Sequence, residues 1–500
     1  MAVALAAAMV ATGAPTIGAA APPRAAAATP EVARASPGAP TAGSRPAVAP
    51  ALRTPVLSLR RVPELVAVAA GTTKLDTALD ATMADPHLGG VAANSCLLVQ
   101  AGATVLYARN PALPVLPASN LKLLTMTAAL DRLPAGDRLV TTVKATAAPK
   151  GGTVGGDLYL VGGGDPLLRT PDYVASLHYP EQIFDNLNTL ADQVRAAGVT
   201  TVTGSVVGDE SRYDSQRYVP TWPSRYMASG EVGPLSALAV NDGFATPRAG
   251  PAAAQPAAQA AATFTALLQA RGITVAGAPA AGTAPAGAVG VTSMSSAPIL
   301  DLADEVLRRS DNNGAELITK ELGRQANPAT PTTAAGVAAV QAALAADGLP
   351  MNGLHMVDGS GLDRSDRVTC QLIEAALQRS GPGGDIGRGL AVAGQNGTLF
   401  HRLIGTPAAG RLLGKTGSLE GVSALSGFVL PAAATGAAGG PAGAATAGGA
   451  AGAATVTFSL IFNSVPSTAI GDALCDRIGV LLAQFPQAPP VDRLAPLAPA

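Results

Sequence analysis

The chain has 500 residues and a formal net charge of −1, and only 13% of its residues are charged, against the ~25% usual for soluble proteins. That length exceeds one typical domain and allows a sizeable core. The near-neutral balance, with no basic block and no aromatic-basic interleaving, argues against nucleic acid as a partner.

Residues 1–21 carry no charge and end in Gly18-Ala19-Ala20-Ala21 before Pro22-Pro23. This has the form of an export signal's apolar region and cleavage site, without a basic start. The segment is expected to be a signal peptide or an N-terminal membrane anchor, the other reading being an Ala-rich tail. Residues 22–72 are rich in Ala and Pro and read as a disordered linker. Beyond the N-terminus no stretch has the ~18 strongly apolar residues that span a bilayer.

Thr72 to Asp85 has an amphipathic helical pattern, and Asn94 to Tyr107 reads as two strands around Ala101-Gly102. After Pro114 and Pro117, Ser119 heads the helical run LKLLTMTAALDRL, with Lys122 one turn along on the same face. From Arg138 the pattern changes. Strands RLVTTVKAT and DLYLVGG precede a helix over Glu181 to Ala197 and a strand over Val199 to Asp209. A loop-like segment holding Tyr213, Tyr218, Trp222 and Tyr226 follows, then a helix over Ala261 to Arg271 and a Gly/Ala/Pro-rich stretch from Gly277 to Gly287. Together they form a separate α+β unit, residues 138–287. The amphipathic helix Leu300 to Arg309 then runs into Ser310-Asp311-Asn312, ahead of a helix over Ala315 to Leu322. Lys415-Thr416-Gly417 begins a strand, Leu425 to Leu430 and Thr455 to Asn463 form a hairpin around a flexible Gly/Ala-rich loop at 431–454, and Asp472 to Phe485 is a closing helix.

Three boxes carry the chemistry: Ser119-Asn120-Leu121-Lys122, Ser310-Asp311-Asn312 and Lys415-Thr416-Gly417, in SxxK, SxN and KTG form and in that order. The lysines are Lys74, Lys122, Lys144, Lys150, Lys320 and Lys415; only Lys122 has a serine three residues before it, and only Lys415 opens a KTG. A serine hydroxyl needs a neighbouring base to attack. Lys122 serves if neutral, a state that burial and a nearby cation such as Lys415 favour. Ser310 can relay the proton to a leaving amine, and Asn312 can hold a substrate peptide group and bond Lys122. Gly417 lets a substrate lie against the backbone. The N–H groups of Ser119 and Ser418 are natural oxyanion donors, and Lys415, Thr416 and Ser418 suit a terminal carboxylate. Each box alone also reads as a helix cap, an inter-helix turn or an exposed turn; the joint order and settings outweigh those readings. Cys96, Cys370 and Cys475 allow one disulfide whose pairing sequence does not set. His87, His178, His355 and His401 are scattered, so no metal site is expected, and no cofactor.

With these boxes the chain resembles the D-alanyl-D-alanine carboxypeptidase/endopeptidase family, the class C low-molecular-mass penicillin-binding proteins, over roughly Leu75 to Phe485. The likeness extends to LYLVGGGDPLL (Leu158 to Leu168), GDESRYD (Gly208 to Asp214), SALAVNDG (Ser236 to Gly243), VDGSGLDR (Val357 to Arg364), AGQNGTL (Ala393 to Leu399) and GKTGSLEGVSALSGFV (Gly414 to Val429). It implies an α/β (α+β) penicillin-recognising serine transpeptidase/β-lactamase-like fold: an antiparallel sheet flanked by helices, plus a helical lobe. The catalytic domain is then 73–137 with 288–490, and 138–287 is an inserted domain. The resemblance implies Ser119 as acylated nucleophile, Lys122 as its base, Ser310 and Asn312 as second-box groups and Lys415 as third-box lysine, with Thr416, Gly417 and Ser418 binding substrate. It departs from the family in Ser418, where threonine is common, and in Asp363, where serine is usual. The expected activity is a carboxypeptidase acting on peptidoglycan stem peptides and trapped by β-lactams, in an exported protein outside the cytoplasm. D,D-endopeptidase action on cross-links is the alternative, ahead of a β-lactamase or an inert cell-wall-binding protein.

Overall fold

The computed structural model describes residues 63–85, 93–177, 183–245, 251–432 and 454–486. The expected export segment at 1–21, most of the 22–72 linker, nearly all of the 431–454 loop, and His87 and His178 lie outside the described residues. The first described helix is Pro63–Met83, so its start lies nine residues ahead of Thr72 and the last part of the expected linker is helical.

A six-stranded antiparallel sheet runs in the order Ala391–Val392, Leu412–Leu419, Val422–Val429, Val456–Asn463, Ser95–Ala101, Thr104–Arg109. Every residue of the central strand Val422–Val429 is buried, because both faces of the sheet are covered. On one face Leu425, Phe458 and Leu460 pack with Leu474, Ile478 and Leu482 of the helix Thr468–Ala483. On the other, Ala424, Phe428 and Ile461 join a helical lobe built from Leu121–Arg132, Ile299–Arg309, Asn312–Ala326, Thr333–Ala346 and Cys370–Ser380. A disulfide between Cys96 and Cys370 joins the sheet to this lobe, and Cys475 is a buried free thiol.

A separate mixed sheet of five strands runs in the order Ala280–Ala281, Val206–Asp209, Leu158–Val161, Arg138–Ala145, Val289–Pro298. It packs Leu158, Leu160 and Val206 against Leu190 and Val194 of the helix Leu187–Ala196 and Phe264 of Pro256–Gln269. Two sequence expectations change here. The run Val199 to Asp209 is two strands: Thr201–Val202 pairs with Thr153–Val154 and Thr274–Val275, and only Val206–Asp209 enters the larger sheet. Val289–Pro298, counted with the catalytic region from sequence, pairs with Arg138–Ala145.

Candidate active site

Ser119 sits in a 3₁₀ turn, Ala118–Asn120, that leads directly into the helix Leu121–Arg132. That helix is buried from Leu121 through Ala129, so Lys122, one turn beyond Ser119, has no solvent exposure. Its Nζ lies 3.0 Å from Ser119 Oγ, 2.6 Å from Asn312 Oδ1 and 2.7 Å from the Ser360 carbonyl oxygen. Burial lowers Lys122 to about 8, against the opposing pull of Asp358, Glu316, Asp311 and Glu231. A neutral amine has two N–H groups and one lone pair. Asn312 and Ser360 offer only acceptors to it, which leaves the lone pair for the Ser119 hydroxyl.

Ser310 closes the helix Ile299–Arg309 in the left-handed region at φ 61°, and Asp311 caps the next helix through a bond from Gly314 N at 3.0 Å. Asn312 is therefore the first residue of that helix, one turn earlier than the sequence pattern suggests, and its Nδ2 donates to the Glu231 carbonyl at 2.8 Å. Ser310 lines the same cleft as Ser119 and Asn312 but makes no hydrogen bond to Ser119 or Lys122.

The third box lies in the middle of its strand: the strand begins at Leu412, not at Lys415. Lys415 is wholly buried, donates to the Thr416 carbonyl at 2.9 Å and is pushed well below the usual lysine range by burial and by the Lys122 charge. Among the described residues no carboxylate pairs with it, so it is poorly suited to carry a standing second positive charge until an anion arrives. Thr416 Oγ1 donates to Thr398 Oγ1 at 2.9 Å, and Thr416 and Ser418 line the cleft. At Gly417, a side chain would meet Asn120 Nδ2 at 2.8 Å and the Pro117 carbonyl at 3.0 Å. The strand's close approach to the turn bearing Ser119 by itself requires glycine there.

The cleft holds about 710 Å³ and is lined by Ser119, Ser310, Asn312, Thr416 and Ser418, together with Arg169 from the separate unit. Sequence reasoning missed Ser360, Thr398 and Arg169. Ser360 lies in VDGSGLDR, Thr398 in AGQNGTL, and Arg169 directly follows GGGDPLL. The segments were legible; the contributing atoms were not, because the Ser360 contribution is a main-chain carbonyl and Thr398 acts on another hydroxyl.

The chain matches the model of the D-Ala-D-Ala carboxypeptidase 3 (S13) family over residues 75–255 and 249–484. It is 30% identical over 437 residues to a D-alanyl-D-alanine carboxypeptidase of Actinomadura sp., covering 71% of this chain and 78% of that one. A carboxypeptidase of Mycobacterium tuberculosis is 31% identical over 405 residues, covering 78% and 82%. The fold is similar to the crystal structure of penicillin-binding protein 4 from Haemophilus influenzae, with a TM-score of 0.63 and 19% identity over 78% of this chain and 95% of that one.

Proposed function

This chain belongs to the D-Ala-D-Ala carboxypeptidase 3 (S13) family, and on that premise we propose that it is a serine-type D-Ala-D-Ala carboxypeptidase whose nucleophile is Ser119. The observation that carries the reading is the 3.0 Å contact between Ser119 Oγ and a fully buried Lys122 Nζ. Neutral Lys122 takes the Ser119 proton as Oγ attacks the carbonyl of the penultimate D-alanine in a peptidoglycan stem peptide. The N–H groups of Ser119 and Ser418 receive the oxyanion. The terminal carboxylate lies against Thr416, Ser418 and Lys415, and supplies the counter-charge that Lys415 lacks. Collapse expels D-alanine, its nitrogen taking a proton through Ser310, and water resolves the acyl-Ser119 ester. A β-lactam enters by the same attack, but its leaving amine stays tethered to the acyl group.

The Cys96–Cys370 disulfide supports an exported protein working outside the cytoplasm. Among the described residues no helix is long and apolar enough to cross a membrane.

The test is labelling by a fluorescent penicillin together with D-alanine release from a D-Ala-D-Ala-terminated peptide. Wild type is expected to do both and Ser119→Ala neither. Labelling that survives in Ser119→Ala would overturn the assignment, and rapid loss of label would point to a β-lactamase. A cross-linked dimeric peptide cleaved faster than the linear one would place endopeptidase action first.

A further inference from the structure

Beneath Lys122 lies a layer of charge for which the acylation steps assign no role. Glu316 and Asp358 are both fully buried. Glu316 Oε1 accepts from Gly359 N at 3.0 Å and from Ser360 N at 2.8 Å. Asp358 Oδ1 accepts from the same Ser360 N at 3.1 Å and from Gly361 N at 2.7 Å, while its Oδ2 accepts from Trp222 Nε1 at 2.8 Å and Asp363 N at 2.7 Å. One peptide N–H is thus shared by two carboxyl groups. The other end of the same residue, the Ser360 carbonyl, receives Lys122 Nζ at 2.7 Å.

The turn cannot slide. Thr125 Oγ1 donates to the Gly359 carbonyl at 2.7 Å. A side chain at Gly359 would meet Thr319 Oγ1 at 1.8 Å, and one at Gly361 (φ +83°) would meet the Ala118 carbonyl at 2.0 Å. Among the described residues neither carboxyl forms an ion pair with arginine or lysine within salt-bridge distance. Two buried carboxyl groups on one N–H do not both ionise readily, and Asp358 also hydrogen-bonds the side chain of a third buried acid, Asp366.

We propose that the Glu316–Asp358 pair is the positioning and charge-setting element for Lys122, fixing the Ser360 carbonyl on Nζ and governing the pH at which the amine becomes neutral. The proposal rests on Lys122 being the base for Ser119. The charged groups facing Lys122 are Glu316 from the helix Asn312–Ala326, Asp358 from the turn, Asp311 from the second box, Glu231 from the separate unit and Lys415 from the strand. Burial and then Asp358 push Glu316 up to about 8, the range in which Lys122 itself titrates, while burial also raises Asp358, Asp311 and Asp366, which lies against Asp358. Neutral Lys122 beside protonated Glu316, and charged Lys122 beside ionised Glu316, hold the same number of protons. Only the first has a lone pair for Ser119.

A glutamine at position 316 keeps the acceptor for both N–H groups and removes the charged alternative. Penicillin acylation rates would be measured against pH for wild type, Glu316→Gln and Trp222→Phe. Glu316→Gln is expected to reach its maximal rate about 1 pH unit lower, as removal of one nearby opposite charge implies. Trp222→Phe takes one donor from Asp358, raises its proton affinity and shifts the profile the same way by less. A folded Glu316→Gln whose profile superimposes on wild type, or moves to higher pH, overturns the proposal, since a merely structural loss lowers the rate without moving the limb. If Glu316→Gln does not fold, Trp222→Phe decides by the same criterion. Wild type that takes no label, or label that persists in Ser119→Ala, overturns the reading of the site and this inference with it.

Discussion

Lys122 is held where an ammonium is poorly solvated. Its lowering from 10.5 to about 8 means that, at neutral pH, the charged form is disfavoured in the folded chain by about 3 kcal/mol relative to the unfolded one. Between about 8 and 10.5 the unfolded chain binds the extra proton, so this contribution to stability rises with pH over that window and the full penalty is felt below it. The residue proposed as the base therefore costs stability where it sits. Lys122→Met, of similar length and without the charge, is expected to abolish penicillin acylation while leaving the thermal midpoint unchanged or a few degrees higher. Calorimetry at pH 7 beside a labelling assay checks both halves; a lower midpoint would mean that the bonds to Asn312 and Ser360 outweigh the burial penalty.

Between elements, the strongest single tie is covalent. Cys96 on the strand Ser95–Ala101 and Cys370 at the first position of its helix are separated by 274 residues. In the chain-entropy model a cross-link of that span restricts the unfolded state by about 6 kcal/mol. Replacing both cysteines by serine is expected to lower the thermal midpoint by several degrees with Ser119 still acylated at lower temperature, as read by calorimetry and label. The pairing could not come from sequence, because spacing constrains nothing across so long a loop. Other elements split along physical lines. Helices with a one-sided apolar stripe, such as Ile299–Arg309, were legible to within a residue. The Ala-rich helix Thr333–Ala346 has no such stripe, so its only local signs were its alanine content and Thr332, which accepts from Ala335 N. Val289–Pro298 is half exposed and polar, and only its partner Arg138–Ala145 makes it a strand. The three boxes were legible because their chemistry demands particular side chains in sequence order. The buried acids beneath Lys122 were not, since nothing local distinguishes Glu316 from an exposed helical glutamate.

At the scale of the whole molecule, the residues between the first two boxes reach the helix that follows the second box, and the turn that holds Asp358, through several polar ties. Asn313 and Gly233 exchange bonds at 2.8 and 3.2 Å, Trp222 reaches Asp358, and Arg212 binds Glu321 at 2.7 Å. The tie nearest the chemistry is Arg169, whose side chain is 4% exposed and lies 3.2 Å from Asp242 and 3.0 Å from Asp311. Asp242 occupies a left-handed turn with Asn241, and Tyr173 donates to it at 2.7 Å. Arg169 thus neutralises two carboxylates, each 12% exposed, that otherwise repel each other beside Ser310 and Asn312. Burial and the Asp242 charge raise Asp311, and Arg169 opposes that rise. Without the guanidinium, Asp311 would take up a proton or move, and its cap on Gly314 would weaken. Removing one partner of a buried pair costs about 3–5 kcal/mol. Arg169→Gln is therefore expected to lower the thermal midpoint and slow acylation at pH 7. The stability deficit should narrow as the pH falls, because protonation of Asp311, already raised by burial, relieves the repulsion that the substitution exposes. Thermal denaturation of wild type and variant at pH 7 and pH 5 checks this; a deficit that stays constant would assign the loss to packing around Arg169 rather than to its charge.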